Sequence, residues 1–214
     1  MTDLLSIEPP QVLRNSDLVI RELFGLELQQ AKSLVLVNHY THLLHSAKNH
    51  YLAFGGAIII WAIPANPNIG TFLTGESCNV WELARLWAPD GHRRDLLSQA
   101  ISHAVKWICK AEKPDILISY ADPNAGHIGT VYRACSWIFD GQTDESRNFI
   151  NEQGTRFGRR SFHNGPKMFT HDQIKKKGYR LEHLPGKFRF LKPITKKAKL
   201  AVNKRISPPT GGVK

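Results

Sequence analysis

The chain has 214 residues, 42% of them hydrophobic, and a formal net charge of +11. The length fits one domain with a tail, and the apolar content is enough for a packed core. The apolar run from Ala57 to Ala65 falls well short of the roughly 18 residues of a membrane span, and Cys78, Cys109 and Cys135 form neither a paired framework nor a Cys-x-x-Cys motif. An odd cysteine count, with an N-terminus that lacks the basic-then-apolar layout of a signal peptide, predicts reduced thiols and a cytoplasmic setting.

Taken in chain order, residues 1–16 read as a leader, since Pro9-Pro10 forbids helix there. Leu28, Ala31, Leu34 and Val35 predict a helix over 27–37, which runs into His39 and Tyr40. The β-branched run from Leu52 to Ile63, interrupted by Gly55-Gly56, predicts one strand with a bulge or a close approach. Pro64 to Asn68 is a turn, and Val80 to Trp87 alternates as a strand, with Glu82 and Arg85 as its charged members. Ala100, Ile101, Ala104, Val105 and Ile108 share one face of a helix over 95–112, stopped by Pro114. Ile116 to Tyr120 is a buried strand. A short helix around 128–135 follows, and a further strand starts at Trp137. Residues 140–170 read as long loops or a hairpin. Thr170 caps a short helix over 169–177, Lys187 to Leu191 alternates like an edge strand, and 192–214 reads as disordered.

The charge is uneven. Residues 151–214 hold 17 Lys or Arg against 3 Asp or Glu, whereas residues 1–150 hold 12 against 15. A near-neutral body with a basic C-terminal third is the footprint of a polyanion binder, nucleic acid or an acidic membrane surface. Arg156, Arg159, Arg160, Lys175, Lys176 and Lys177 are the candidate phosphate contacts, and the interleaved Phe157, Phe162, Phe169 and Tyr179 are candidates for stacking on bases.

Residues 119–137 carry the most chemistry. Asp122 ends a buried strand, where open α/β sheets place ligand chemistry. Glycines follow, then a helix with Tyr132 and an aromatic, Trp137, five residues on. A plain strand–turn–helix connection with an incidental Asp fits the pattern equally well.

The order of elements resembles that of the acyl-CoA-dependent N-acetyltransferases (GNAT). In that fold a loop and helix N-terminus after a strand hold the CoA pyrophosphate, through unpaired helix donors and the macrodipole. The matching segment runs from Leu86 to Ser98, with Arg93 and Arg94 as added cations. It lacks the usual Gly-x-Gly/Ala form, and a surface loop is the other reading. The phenol of such a helix protonates the leaving thiolate.

A narrower resemblance covers His39 to Phe139. Asn38-His39-Tyr40, Glu82-Leu83-Ala84-Arg85-Leu86, Arg94-Asp95-x-x-Ser98, Ser119-Tyr-Ala-Asp122-Pro and Gly126-His-x-Gly129-Thr-x-Tyr132-x-Ala134-x-x-Trp137 are similar to segments of the Mom family of bacteriophage DNA-modification proteins. The resemblance implies a GNAT-like mixed α/β sheet with helices on both faces. It implies conversion of adenine N6 in double-stranded DNA to a methylcarbamoyl (acetamido) form, with the adenine flipped out and an acetyl-CoA or related donor. It implies metal-site residues at His39, Tyr40, Asp122 and Tyr132, a hard N/O ligand set suited to iron. Activity or cofactor binding falls by motif on Arg85 and Ser98, and the GNAT-like segment adds Leu86, Trp87, Arg93 and Arg94 as cofactor-binding candidates. Asp95 replaces the family's Asn and would repel a phosphate. An acetyltransferase acting on a protein, RNA or small amine is the alternative. The resulting layout is a leader, one catalytic domain over 17–191 with a basic DNA-facing part from 150, and a basic tail over 192–214.

Overall fold

A computed structural model of the chain describes residues 18–40, 44, 48–158, 161–164 and 167–206. The leader, His42, His45, Arg159, Arg160, the Arg156 side chain and 207–214 lie outside what is described. Two compact units emerge: Met1–Tyr120 with Gly129–Asp140 and Phe190–Lys214, and Ala121–Ile128 with Gly141–Arg189.

The first unit is built on a seven-stranded sheet. Its strands are β1 (Arg21–Glu22), β2 (Asn49–Phe54), β3 (Ala57–Ala62), β4 (Val80–Trp87), β5 (Ile116–Ala121), β6 (Ile138–Gln142) and β12 (Phe188–Pro193), in the order β1-β2-β3-β4-β5-β12-β6. Its helices are α1 (Gly25–Asn38), α2 (Ile69–Thr74), α3 (Leu96–Ala111), α4 (Thr130–Ala134) and α6 (Lys196–Ile206). Strand alternation sorts the β2 and β3 side chains by face. Tyr51, Ala53, Ile58 and Ile60 pack against Ala31, Leu34 and Val35 of α1. The other face meets α3, where the Phe54 ring stacks on His103 at 4.7 Å. Helices therefore cover both faces, as the sequence predicts.

Three readings need correction. Gly55 and Gly56, with φ of +54° and +89°, close a tight hairpin between β2 and β3 and do not interrupt one strand. Two consecutive left-handed residues are what a type I′ turn requires. β12 is no edge strand: it lies between β5 and β6, with Phe190 and Leu191 fully buried. Residues 196–206 are helical, not disordered, because Ala198 and Val202 drop into a cluster with Ile69, Leu73, Val80, Ile116 and Leu191. His50 is held between Glu22 at 2.6 Å and Glu112 at 2.8 Å.

The second unit has a three-stranded sheet in the order β11 (Arg180–Leu184), β7 (Ser146–Ile150), β8 (Arg156–Gly158). A small ladder pairs β9 (His163–Asn164) with β10 (Lys167–Met168). Helix α5 (His171–Lys176) starts on a reciprocal capping box between Thr170 and Gln173, so the predicted cap is present. Phe149, Phe162 and Ile174 form its core, with Phe157, Phe169, Tyr179 and Leu181 packed around them. The aromatics expected to stack on bases are thus the interior of this unit. So few residues lack aliphatic bulk, and rings at 4.9–6.1 Å supply it.

Candidate active site

β4 and β5 pair in parallel only from Val80–Ile116 to Leu83–Ser119. Both strands continue, β4 to Trp87 and β5 to Ala121, so they part into a fork. Ser119 is fully buried at the apex. Its Oγ is 2.9 Å from the Leu83 carbonyl oxygen and 2.8 Å from the Tyr132 hydroxyl. A carbonyl only accepts, so the single Ser119 proton goes to Leu83 and the phenol donates to Ser119.

Tyr132 is carried by α4, which begins at Gly129 with φ +79°. A Cβ at Gly129 would lie 2.2 Å from the Phe190 ring, so only glycine lets the helix start here. The Tyr132 ring packs on Phe190 at 5.2 Å and Trp137 at 5.5 Å. Burial pushes the phenol up to about 12; the Ser119 hydrogen bond opposes that, and Tyr40 and Glu82 nearby add to it.

A register shift at Ile60/Trp61 pairs Glu82 with Ala62 and Arg85 with Ile60. Residues three apart in a regular strand face opposite ways. The shift instead turns Glu82 and Arg85 to the same face, that of α1. Burial lowers the Arg85 guanidinium, and Tyr40, Glu82 and Tyr51 counter that. Tyr40, Glu82, Arg85 and Tyr132 therefore share one electrostatic neighbourhood. His39 ends α1, its N–H donating to Val35, and its buried ring stacks on Tyr40 at 4.5 Å.

Asp122 belongs to the second unit. One oxygen accepts from the Asn124 amide N–H (3.0 Å) and side chain (2.9 Å), and the other lies 3.3 Å from Lys187 Nζ. Burial raises this carboxyl, but Asn124 and Lys187 together outweigh it and hold it below the usual carboxylate range. The Lys187 segment is itself fastened: Asn124 donates to Pro185, Gln142 to Gly186, and the Lys187 N–H to Thr143.

These residues do not fit the expected metal. A phenolate ligand must give up its partner, and the Tyr132 hydroxyl is held 2.8 Å from the fully buried Ser119 at the apex of the fork. The Asp122 carboxylate is engaged on both oxygens. Among the described residues no three His, Cys, Asp or Glu side chains are grouped to hold an ion.

The loop after β4 leads to the N-terminus of the 16-residue α3. Arg93 turns back on Asp95, with Nε 2.9 Å from its carboxylate, and also donates to Gln99. That pairing neutralises the Asp95 charge expected to repel an anion. Arg94 is exposed, and no ion pair of it is found among the described residues. Ser98 Oγ donates to the Asp95 carbonyl at 2.8 Å. Leu86 pairs with Ile59, and Trp87 packs against the α1 cluster. Both are partly buried in strand β4, ahead of the loop. Lys175, Lys176 and Lys177 are exposed, with Lys177 4.2 Å over the Phe169 ring.

The sequence reads Lys187 as a basic-rim candidate for DNA and does not reveal Ser119 and Lys187 as the partners of Tyr132 and Asp122. Ser119 reads as one more member of a buried strand, and nothing in the spacing joins Lys187 to Asp122.

A sequence profile of the Mom protein family matches residues 23–209. The chain belongs to the Mom family. The methylcarbamoylase Mom of Escherichia phage Mu is 25% identical over 196 residues, 82% of this chain and 76% of that protein. Among solved structures, a Bacillus subtilis acetyltransferase in complex with CoA overlaps 84% of this Mom-family chain and all of its own, at TM-score 0.47 and 10% identity. A GNAT acetyltransferase from Elizabethkingia anophelis with acetyl-CoA bound gives 0.44 and 10%, over 84% of this chain and all of its own. Overlaps this loose carry no argument about function. No helix among the described residues is long and apolar enough to cross a membrane.

Proposed function

We propose that this chain is a transferase that uses an acyl-CoA donor to modify the N6 amine of adenine in DNA, working in the host cytoplasm and protecting phage DNA from restriction. The observation that carries the reading is the fork with a neutral phenol at its apex, in a chain of the Mom family. Parted strands leave a stretch of β4 edge that can take an amide-bearing chain as an added strand. The N-terminus of α3 and exposed Arg94 supply the donors and charge that suit a pyrophosphate. Acyl-CoA supplies a thioester carbonyl open to attack by an amine.

In that attack an N–C bond forms, the C–S bond breaks, and the thiolate leaves. A phenol near 12 is a weaker acid than an ordinary thiol, which titrates at about 8.5. As the thiolate develops, Tyr132 turns its hydroxyl hydrogen bond from Ser119 to the sulfur and keeps its own proton. Arg85 balances negative charge in the same neighbourhood. The proton leaving the amine passes to solvent, while Asp122, ionised and held by Lys187 and Asn124, orders the turn after β5. A paired adenine cannot offer N6, so the base is flipped out. Arg156, Arg159, Arg160, Lys175, Lys176 and Lys177 hold phosphates.

The methylcarbamoyl group named for the phage Mu relative is the product proposed for this chain. It carries one nitrogen more than the N6-acetyl product of that attack, so reaching it takes a nitrogen-bearing co-substrate besides acyl-CoA and adenine. Iron at His39, Tyr40, Asp122 and Tyr132 has no part in this account. The test incubates the protein with duplex DNA and carbon-labelled acetyl-CoA, then digests the DNA to nucleosides. Label in an adenine nucleoside is expected. Label in protein alone would favour an ordinary acetyltransferase.

A further inference from the structure

The ring row that begins at Tyr132 continues to the surface. Tyr132 lies 5.2 Å from Phe190, and Phe190 lies 5.6 Å from Phe139, centroid to centroid. Phe190 is fully buried and wedged against Gly129, while Phe139, on the edge strand β6, is 41% exposed. Arg133, the residue after the phenol, is exposed and spans the outer two rings. Its guanidinium carbon is 5.2 Å from the Phe139 centroid and 5.4 Å from that of Phe190. A single exposed aromatic is ordinary. This one is joined to the buried phenol through Phe190, and a cation from the candidate catalytic helix lies over it.

We infer that Phe139 and Arg133 form a stacking platform for a nucleobase of the DNA strand next to the modified adenine, with Arg133 also meeting a phosphate of that strand. The inference rests on DNA being the acceptor. Flat rings and guanidinium planes at a surface receive unstacked bases, and the cation adds an attraction that an aliphatic patch lacks. Extruding an adenine leaves its neighbour without a stacking partner. A ring row leading from the phenol at the fork to the surface offers a replacement close to where the adenine reacts.

The test uses the full chain and its Phe139→Ala, Phe139→Trp and Arg133→Gln variants. Each is titrated at fixed salt with an oligonucleotide carrying 2-aminopurine beside the target adenine, and separately with CoA. Phe139→Ala should weaken oligonucleotide binding by about 5- to 150-fold, the range of one lost base stack. Phe139→Trp should retain binding and quench 2-aminopurine, Arg133→Gln should bind less tightly with a shallower salt dependence, and CoA affinity should not change. Tight wild-type binding left intact in Phe139→Ala would overturn the platform and leave the DNA reading standing. Loss of CoA binding with unchanged oligonucleotide binding would overturn it too, and would assign the rings to the cofactor. A wild-type protein that binds no oligonucleotide would remove the DNA reading and the platform together.

Discussion

At Tyr132 the ring and the hydroxyl do different things. The ring fills space against Phe190 and Trp137, and the hydroxyl ties α4 to the fork through Ser119. Tyr132→Phe keeps the first and removes the second. Its thermal stability near neutral pH should fall by about 1 kcal/mol, the worth of one hydrogen bond. Release of CoA thiol should fall by about 100-fold or more. The pH dependence has a definite sign. An unfolded tyrosine ionises at about 10, while the folded phenol stays neutral to about 12. The folded state therefore holds more protons between those values, and stability drops as pH rises through that window. Alkaline denaturation should be less steep in Tyr132→Phe. Equal steepness would mean that the phenol ionises in the fold. In the sequence, Tyr132 and Asp122 stand out by motif and by their places beside a helix start and a strand end. Their partners Ser119 and Lys187 do not, because hydrogen bonds between distant residues leave no local period.

Among the elements, α6 separates composition from structure most sharply. Its lysines make it read as a solvated tail, yet Ala198 and Val202 form a narrow apolar stripe at i, i+4 spacing that is buried. Lys197 pairs with Glu76 at 2.7 Å, and Arg205 with Asp140 at 2.8 Å over the Phe72 ring. Removing 192–214 should therefore damage the fold as well as any phosphate contacts. Val202→Ala should cost about 2 kcal/mol in urea unfolding, whereas Lys199→Ala should stay within about 0.5 kcal/mol. Equal small effects would show α6 to be undocked. Strong periods made α3, β4 and β5 legible. Gly55-Gly56 misled because two glycines fit a bulge and a hairpin alike, and only the pairing of β2 with β3 decides between them. The strand pattern of β12 was legible, but not its place in the sheet, since burial on both faces depends on neighbours far along the chain.

For the molecule as a whole, the family resemblance pointed to the sheet with helices on both faces, and the sequence itself to the strand–loop–helix order around the fork. It misjudged the basic third, which is a small aromatic-cored sheet unit followed by a docked helix. Charge there is real, but the rings between the charges serve packing first. The register shift that turns Glu82 and Arg85 to one face was also hidden, because alternation assumes a regular ladder.

The central claim is that the forked sheet of this Mom-family chain modifies adenine in DNA. It is tested most directly by mass spectrometry of nucleosides from DNA of cells expressing the wild-type protein or Tyr132→Phe at matched soluble levels. An N6-substituted deoxyadenosine is expected with the wild type and is lost with the variant. An unmodified adenine pool in both, or the same modified nucleoside at equal yield from both, would contradict it.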